Sequence, residues 1–543
     1  MRSGREQDAP LTISGRTRRY AAIRMIPTPR HLLRLLAAGI RLVSGIFLGL
    51  ALGCTGNTTG GPDSVAGYTA RLDRRVPEWM KAAGVPGVAL AVVHEGDLVW
   101  SGAYGTADPE AGREMTVDAV FRVESISKSV TAWGVMKLVQ DGLIDLEAPV
   151  ERYVDRETIP ALSQARIGRG RSDSGITIRR LLSHDAGLAV GTIDLEFPPP
   201  SKQSAKRDEE MPSLRQTLAR EARLVRQPGT GFGYSNVGFD LLELVIEEVT
   251  GRDFAEYMAA EILAPLGMKD SGFGWNEERR ERIPVGTDLR GRPVPTYIRP
   301  TRASGGLFAT VGDIARFVRA EMIGPRRIHQ SVLGGNAVRS LHAPRIAIPG
   351  LFGLVADAYG FGHFVEILPD GRRAIWHGGQ GHGWMSHFHA VPGSGEGIVI
   401  LTNSQRSWPL MAEILRDWGA WAGIGSVGMT RISTGVSALR ILTLAIFGVA
   451  LGQFVRLVLG LRRGSRRFAP LGERARLERA GMVGGGVAIL AGLAWSARQP
   501  YLLVSSIFPG TARLAGLALL SLALVLVLSA MMSPAAKDGP IPR

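Results

Sequence analysis

Cysteine is almost absent from this sequence. Cys54 is the only one among 543 residues, so no intrachain disulfide can form. Lysine is also scarce, because seven lysines stand against 57 arginines. Hydrophobic residues make up 45% of the chain and charged residues 21%, a composition far from that of disordered proteins. We therefore expect folded domains that are stabilised by packing, in which each of the few lysines merits a closer look.

The net charge of +15 is unevenly distributed. Residues 1–41 carry +7 and residues 425–543 carry +11, which leaves −3 for residues 42–424. A nucleic-acid-binding domain would present its basic residues on a folded surface. Here the basic residues flank hydrophobic stretches, which is typical of membrane topology. The charge distribution predicts a membrane as a partner and excludes nucleic acid.

The N-terminal segment combines arginines with the apolar run "LVSGIFLGLALGC" at 42–54. This pattern resembles a bacterial lipoprotein signal, in which Cys54 would be the lipidated residue. The alternative is an uncleaved anchor helix in which the cysteine has no special role. Under both interpretations the chain beyond this segment is exported. Residues 1–66 are therefore predicted to be a signal or anchor segment and a polar linker.

The C-terminal residues 425–543 predict a linker followed by membrane-spanning helices. Three long apolar stretches lie at about 441–461, 481–497 and 514–532. At ~1.5 Å per residue, each can cross or nearly cross a hydrocarbon core of ~30 Å. Seven arginines at 462–479 place the loop between the first two stretches in the cytoplasm. The preceding domain, 67–424, is then predicted to lie on the extracytoplasmic side of a bacterial cell membrane.

The domain at 67–424 has apolar strands near both of its ends. Strands are predicted within 87–105 and within 374–404, each around a turn. Helices are predicted between them, notably at 126–140 and 238–262. Because strands lie at both ends with helices between, we expect a sheet whose two halves come from distant parts of the sequence.

The stretch "FRVESISKSVTA" contains Ser125 and, three residues later, Lys128. At the start of the predicted helix, the two side chains would share one face. A serine hydroxyl is a poor nucleophile without a neighbouring base, and a lysine amine can serve if burial keeps it partly neutral. Chance alone produces about 0.4 such pairs in this composition, so the motif requires support from others.

Two further motifs carry polar side chains suited to catalysis. In "PGTGFGYSN", Tyr234 and Asn236 lie two residues apart on a segment predicted to be extended, and so would point the same way. A phenol beside an ammonium group has a lowered pKa and can act as general acid or base. In "WHGGQG", His377 can offer a proton or bind a carboxylate, while Gly378 and Gly379 allow close approach of a substrate backbone.

In this order, and separated by roughly 110 and 140 residues, the three motifs resemble those of the serine β-lactamase-like superfamily. That superfamily includes class C β-lactamases, penicillin-binding D,D-peptidases, D-aminopeptidases and esterases. "LLSHDAGL" at 181–188 and "ASGGLFATVGDIARF" at 303–317 are also similar to family stretches. The resemblance covers roughly 67–410. It implies an α/β (α+β) fold with an antiparallel sheet flanked by helices, a mostly helical lobe, and the site between them.

The resemblance also implies roles for individual residues. Ser125 would be the acylated nucleophile, Lys128 its activating partner and Tyr234 the base. The remaining residues would bind the substrate: Asn236, His377, Gly378, Gly379 and Gln380. The backbone N–H groups of Ser125 and Gln380 would form the oxyanion hole. The implied reaction is acyl transfer through an acyl-enzyme, with no metal or other cofactor, on a small-molecule or peptidoglycan-like substrate.

Two departures and two alternatives qualify this hypothesis. His377 stands where β-lactamases carry lysine, which favours the D-aminopeptidase-like and esterase-like branches over antibiotic hydrolysis, and Glu124 is larger than expected beside the nucleophile. His382, His387 and His389 have a spacing that could bind a metal, but no carboxylates with matching spacing are evident, and the sequence favours histidines that are satisfied within the core. The other alternative is a penicillin-binding sensor or cell-wall-binding module that is acylated without turnover. Nothing in the sequence indicates an oligomeric state.

Overall fold

The computed structural model describes residues 64–156, 159, 175–191, 195–200, 211–323, 332–350, 352–469, 476–498 and 506–534. The predicted signal or anchor segment and Cys54 lie outside these residues. Most of the polar stretch at 198–212, which the sequence predicts to be a solvated loop, also lies outside them. None of the motifs described above falls in this stretch.

The strands are, in chain order, β1 (Gly87–His94), β2 (Asp97–Asp108), β3 (Arg113–Glu114), β4 (Phe121–Arg122), β5 (Gly272–Phe273), β6 (Gly286–Thr287), β7 (Pro293–Val294), β8 (Leu307–Ala309), β9 (Ile346–Ala347), β10 (Ala358–Tyr359), β11 (Phe364–Ile367), β12 (Arg373–Gln380), β13 (Met385–Val391), β14 (Glu396–Thr402), β15 (Arg466–Phe468) and β16 (Met532–Pro534). The α-helices are α1 (Val65–Ala83), α2 (Ile126–Gln140), α3 (Ile178–Leu182), α4 (Leu214–Glu221), α5 (Asn236–Thr250), α6 (Phe254–Met258), α7 (Val311–Ala320), α8 (Gly335–Leu341), α9 (Trp408–Trp421), α10 (Arg431–Arg462), α11 (Arg476–Arg498) and α12 (Pro509–Met531).

A nine-stranded antiparallel sheet forms the centre of the domain, in the order β3-β2-β1-β14-β13-β12-β11-β10-β9. The first and last strands of the domain meet where β1 pairs with β14, with Leu90 opposite Ile400. The prediction of one sheet built from distant segments is therefore confirmed, as is the α/β class with an antiparallel sheet. A smaller sheet, β4-β8-β5, leads into the nucleophile motif.

Alternate residues of the sheet pack against two helical layers, because successive side chains of a strand point to opposite faces. Ala89 and Ala91 of β1 belong to the core that contains α2 and α7, whereas Val88 and Leu90 belong to the core that contains α1 and α9. Helix α2 is buried on almost every side, which is typical of a central core helix. The motif serine therefore stands at the start of one of the most constrained helices of the domain.

The helix predicted at 238–262 is divided in the structure. Helix α5 runs from Asn236 to Thr250 and is capped by Gly251, whose φ of 65° gives the left-handed conformation that glycine favours. Helix α6 and a short π-helical turn, Ala259–Leu263, follow it. Asn236 is thus the first residue of a helix rather than part of an extended segment. The prediction that Tyr234 and Asn236 share an extended strand is wrong because Ser235 caps the helix, its Oγ accepting from the Gly238 N–H at 3.0 Å.

The C-terminal helices follow the domain without an intervening loose linker. Val427 and Met429, within the segment predicted as a linker, are buried against the core beside α9, and α10 begins at Arg431. Among the described residues, three helices are long and apolar enough to cross a membrane, and they correspond to the predicted stretches. Helices α10 and α11 both pack on α12, and the short pair β15–β16 joins the ends that lie away from the domain.

Candidate active site

Ser125 occupies the turn between β4 and α2. Its backbone is helical, with φ −67° and ψ −5°, and its hydroxyl makes no capping hydrogen bond to the helix. The hydroxyl instead accepts a hydrogen bond from Nζ of Lys128 at 3.0 Å. Further bonds hold α2 against the segment before β8, since Ser127 Oγ accepts from the N–H of Leu307 and Thr131 Oγ1 donates to the carbonyl of Ala303.

Lys128 is completely buried, and its amine also donates to the carbonyl oxygen of Ser304 at 2.6 Å. Burial lowers the pKa of this amine to about 7, and the nearby charge of Arg299 acts in the same direction, while Asp240 and Glu124 oppose the shift. A substantial fraction of Lys128 is therefore neutral at physiological pH. A neutral amine within hydrogen-bonding distance of a serine hydroxyl can accept its proton.

Asp240 is the neighbour of Lys128 that the sequence motifs do not include. It is buried on α5, one helical turn beyond Asn236, and burial raises the pKa of its carboxyl to about 7. A hydrogen bond with Ser304 and the charge of Lys128 oppose that shift. Burial drives both members of this pair towards their neutral forms. The four-residue spacing from Asn236 places Asp240 on the same helix face, and this spacing is the signal from which the residue was predictable.

Tyr234 lies beside the serine, to which its phenol is hydrogen-bonded, and the amine of Lys128 is 5.0 Å from its ring centroid. Burial raises the pKa of this phenol above its usual value, and the charge of Asp240 adds to the effect. The expectation of a lowered pKa is therefore wrong. Burial dominates this shift, and the amine that was expected to lower the pKa of Tyr234 is itself partly neutral.

The "LLSHDAGL" stretch supports the Tyr234–Asn236 segment from behind. His184 Nδ1 accepts from the N–H of Ser235 at 3.2 Å, and the carbonyl oxygen of His184 accepts from the N–H of Gly233 at 2.8 Å. Its ring lies 4.3 Å from that of Tyr234, centroid to centroid. His184 thus holds the backbone on both sides of Tyr234, which is a structural role.

His377, on β12, is 1% exposed, and both of its ring nitrogens are engaged within the protein. Nδ1 lies 2.9 Å from the carbonyl oxygen of Gly378, and Nε2 lies 3.1 Å from the hydroxyl of Tyr359. A carbonyl only accepts, so Nδ1 carries the proton and Nε2 accepts from Tyr359. Burial and the charge of Lys128 hold the pKa of His377 well below its usual value. The imidazole is therefore neutral, and Tyr359 is a further partner that no motif indicated.

The glycines after His377 bring β12 close to the nucleophile turn. A methyl group on Gly379 would lie 2.2 Å from the carbonyl oxygen of Val123 and 2.1 Å from Oγ of Ser386, and one on Gly378 would lie 2.9 Å from the indole of Trp408. Both distances on Gly379 are far below contact distance. Glycine at 379 is thus needed to pack the strand against the residues before Ser125, whatever it also offers a substrate. Gln380 follows as the last residue of β12.

Glu124, directly before the serine, anchors a buried ionic cluster. It is 1% exposed and has a positive φ of 48°, a conformation that non-glycine residues rarely adopt. Its Oε1 accepts from Nε of Arg122 and from the hydroxyl of Tyr297, both at 2.9 Å, and its Oε2 lies 3.5 Å from Nη1 of Arg299. Burial alone would raise the pKa of Glu124, but the two guanidinium groups outweigh it and lower that pKa.

The histidines considered as metal ligands lie apart. His382 is half-exposed and lies 3.2 Å from a carboxylate oxygen of Glu196, whereas His387 and His389 are buried 3.4 Å from each other on β13. Those two pack with Trp376 and Trp418 in the core beside α9. In the part of the chain that the structure describes, no group of three or more His, Cys, Asp or Glu residues is arranged to hold a metal ion.

Comparison with known proteins gives the family. Residues 72–417, more than half of the chain, match the family model described as Beta-lactamase. The chain belongs to this family. The match begins in α1 and ends in α9, so it includes every motif residue discussed above and excludes α10, α11 and α12.

Several curated proteins are similar to the same part of the chain. Esterase EstB of Burkholderia gladioli is 29% identical over 379 residues, which cover 62% of this chain and 91% of the esterase. Penicillin-binding protein 4 of Amycolatopsis lactamdurans is 27% identical, over 63% of this chain and 87% of that protein. A human beta-lactamase-like protein is 28% identical, and the matched region spans 65% of its length.

Solved structures share the fold. The octameric penicillin-binding protein homologue from Pyrococcus abyssi is 25% identical and covers 66% of this chain, with 78% of its own length matched and a TM-score of 0.52. SurE aligns with a TM-score of 0.53 at 24% identity, which indicates the fold alone. The chain is therefore a hydrolase of the beta-lactamase family. Its esterase-like and penicillin-binding relatives agree with the resemblance inferred from the motifs.

Proposed function

We propose that the chain is a membrane-anchored, extracytoplasmic serine hydrolase that cleaves an ester, an amide or a D-amino-acid peptide bond through an acyl-enzyme on Ser125. The observation that carries this proposal is the contact between the Ser125 hydroxyl and a buried Lys128 amine whose pKa is about 7. An amine of this kind accepts a proton near neutral pH, which an ordinary surface lysine does not do.

In the first step, Oγ of Ser125 bonds to the carbonyl carbon of the substrate and its proton passes to Nζ of Lys128. The negative charge that develops on the carbonyl oxygen is stabilised by the backbone N–H groups of Ser125 and Gln380. The bond to the leaving alcohol or amine then breaks, and that group takes the proton. Because Tyr234 keeps a raised pKa, its phenol acts as a proton donor and relay rather than as the initial base.

In the second step, a water molecule attacks the carbonyl carbon of the acyl group on Ser125. Its proton passes through Tyr234 and Lys128 to Oγ as the ester bond breaks, and the carboxylic acid product leaves. The atoms balance with water as the only co-reactant. Asn236, at the start of α5 and two residues after Tyr234, would contact the acyl part of the substrate.

The neutral state of His377 bears on the substrate class. β-Lactam antibiotics and the peptides that end in a D-amino acid carry a carboxylate, and a cation at this position would bind it. A neutral, buried imidazole offers no such charge. This supports esters, amides and those small-molecule or peptidoglycan-like substrates that present no carboxylate at this position over antibiotic hydrolysis as the native reaction. The esterase relative supports the same class.

The experiment uses the full-length chain in detergent, as wild type, as Ser125→Ala and as Ser101→Ala, a control at an exposed serine of β2. Each protein is incubated with a fluorescent penicillin and with a p-nitrophenyl ester, and intact mass follows the covalent adduct. We expect a transient adduct and ester turnover in the wild type and the control but not in Ser125→Ala. A persistent adduct without turnover would support the sensor or cell-wall-binding alternative, and equal labelling of Ser125→Ala would refute the nucleophile.

The side of the membrane has its own test. Glu110 is exposed in the turn between β2 and β3, so Glu110→Cys places a reactive thiol on the domain surface. A membrane-impermeant maleimide should label this variant in intact cells when Cys54 is also replaced by serine, and it should leave the Cys54→Ser parent unlabelled. Labelling that requires permeabilised cells would place the domain in the cytoplasm.

A further inference from the structure

The start of the third apolar helix touches the candidate active site. Ser506, three residues before α12, is completely buried, and its Oγ accepts a hydrogen bond from Nε2 of Gln380 at 2.7 Å. Gln380 follows Gly379, whose packing against Val123 brings β12 to the nucleophile turn. A residue at the entry of an apolar helix is therefore bonded to the strand end that borders Ser125.

Other contacts hold the same helix entry against the domain. Nη2 of Arg513 donates to the carbonyl oxygen of Leu289, in the hairpin between β6 and β7, at 3.2 Å. Ile507 packs on the core beside α9. Phe508 packs directly on α10, because a methyl group on Gly435 would lie 3.4 Å from its ring. We call the contacts of Ser506 and Arg513 with the domain the helix-entry contacts.

Charged and aromatic residues indicate where the apolar part of the helices begins. Arg440, Arg498 and Arg513 each stand at the domain-facing end of one of the three apolar stretches, as expected at a membrane surface. Trp495, close to Arg498 on α11, is 61% exposed, which is typical of an interfacial tryptophan. Beyond these residues large apolar side chains are exposed, such as Leu517 on α12.

The distance from the site to this border is short. Ser506 precedes Leu514, the first residue of the apolar stretch on α12, by eight positions. At the rise of a helix, eight residues span roughly 12 Å, and the Gln380 side chain is in contact with Ser506. The end of β12 therefore lies roughly 12–15 Å from the hydrocarbon, a few ångströms beyond the outer edge of a headgroup layer that is roughly 5–8 Å deep.

We propose that the substrate is an amphiphile that resides in the membrane leaflet facing the domain. Its scissile ester or amide projects from the outer edge of the headgroup layer and reaches Ser125 past the Gln380 end of β12, while its alkyl chains remain in the bilayer. This inference rests on the proposed function and adds the physical class of the substrate. A site that is fixed at the membrane surface meets a lipid-borne bond at high effective concentration, an advantage that a freely soluble substrate does not have.

The test compares cleavage of the same ester bond in a soluble molecule and in a membrane lipid. A succinyl umbelliferyl ester is attached either to ethanolamine, which is soluble, or to phosphatidylethanolamine in the phosphatidylcholine vesicles that contain the full-length protein. The wild type is compared with Ser506→Ala/Arg513→Gln, which removes the helix-entry contacts. The matched control is Ser521→Ala/Arg498→Gln, which makes the same exchanges outside the helix-entry contacts, since Ser521 donates to the Leu517 carbonyl within α12 and Arg498 is exposed at the end of α11.

We expect the wild type and the control to cleave the lipid-borne ester at least about ten-fold faster than the soluble ester at equal total concentration. In Ser506→Ala/Arg513→Gln, most of that advantage should be lost while the soluble ester is cleaved at the wild-type rate, which also shows that the domain is folded. Equal rates on the two esters in the wild type, or an unchanged advantage in the double variant, would overturn the inference. If neither ester is cleaved, or if Ser125→Ala cleaves both, the proposed function itself fails.

Discussion

Nζ of Lys128 lies 3.0 Å from Oγ of Ser125, which is partly exposed, and 2.6 Å from the carbonyl oxygen of Ser304, while Lys128 itself is completely buried. Two hydrogen-bond acceptors are thus within reach of an amine whose pKa is lowered by burial. When the amine is neutral it retains two protons, one of which serves the Ser304 carbonyl oxygen, and its lone pair is available to accept from the Ser125 hydroxyl. The geometry therefore combines a donor contact that positions Lys128 with the capacity to remove the proton of the serine.

The first prediction concerns the pH dependence of acylation. Protonated Lys128 cannot act as a base, so the acylation rate should be low below the pKa of about 7, rise through it and level off above it. The raised pKa of Tyr234 means that its phenol adds no titration in this range. The measurement is the rate of penicillin or ester acylation of the full-length protein between pH 5 and pH 9.

Lys128→Arg provides the sharpest comparison for that profile. Arginine keeps its positive charge throughout this pH range, so it removes the base and leaves the charge. The acylation rate should fall by about 100-fold or more and should no longer rise near pH 7. A wild-type rate that is flat from pH 5 to pH 9 would show that Lys128 is not the base.

The second prediction concerns the two charged residues that shift the pKa of Lys128, Asp240 and Arg299. The negative charge of Asp240 raises the pKa of Lys128, whereas the positive charge of Arg299 lowers it. Asp240→Asn should therefore move the rising part of the pH profile to lower pH. Arg299→Gln should move it in the opposite direction. The midpoint of the profile is the readout, because a purely structural effect would change the rate at every pH without moving the midpoint.

Opposite displacements in these two variants would be difficult to explain without an electrostatic link to Lys128. If both variants keep the wild-type midpoint, then Lys128 is not the group that titrates. In that case the acidic part of the profile would have to be assigned to another residue.

The third prediction concerns Glu124. Glu124→Gln keeps the size of the side chain but leaves Arg122 and Arg299 without their shared carboxylate. Breaking a fully buried ion pair on one side costs about 3–5 kcal/mol of stability, and both Glu124 and Arg122 are 1% exposed, so solvent offers little compensation. The melting temperature of the domain should fall by roughly 5–15 °C. The measurement is thermal unfolding followed by tryptophan fluorescence at pH 7.

Glu114→Gln, an exposed carboxylate on β3, is the matched control and should melt with the wild type. The comparison is made at neutral pH because the pKa of Glu124 is lowered, so its stabilising charge is fully present there and is lost only in acid. Identical melting of Glu124→Gln and the wild type would mean that the cluster contributes nothing measurable.

The sequence predicted much of the fold because periodicity and turn chemistry are local. Helix α2 has the predicted bounds of 126–140, and its end at Asp141-Gly142 follows from a glycine with a φ of 75°. The pairing of β1 with β14 could be predicted only in outline. Nothing local in either strand fixes the register that sets Leu90 opposite Ile400.

The residues of the candidate site also fall into those that the sequence predicted and those that it missed. The sequence spacing placed Ser125 and Lys128 together because one helical turn determines their separation. Tyr359 and Arg299 were missed because each reaches the site from a different element, and only the tertiary fold brings them to His377 or Lys128. Asp240 was missed because Asn236, one helical turn before it, was predicted to lie on an extended segment. The pKa of Tyr234 was predicted with the wrong sign for a related reason. Burial is a property of the whole domain, and no motif reports it.

The last prediction tests the distance between β12 and the nucleophile turn. A methyl group at position 379 would meet the Val123 carbonyl oxygen at 2.2 Å, so Gly379→Ala must push β12 away from the turn. That oxygen also accepts from Oγ of Ser386 at 2.7 Å, so the turn is held and cannot yield easily. Gln380 would move with the strand, and a displacement of about 1 Å in an oxyanion hole costs about 100-fold in rate.

Gly393→Ala is the matched control, because a methyl group there meets nothing within 4 Å in the turn between β13 and β14. Gly379→Ala should therefore lose acylation by about 100-fold while Gly393→Ala acylates as the wild type does, each measured as adduct formation by intact mass. Thermal unfolding of both variants separates a displaced strand from an unfolded domain. If Gly379→Ala is folded and acylates normally, then the close packing of β12 on Val123 does not set the geometry of the reaction, and the N–H of Gln380 is not part of the oxyanion hole.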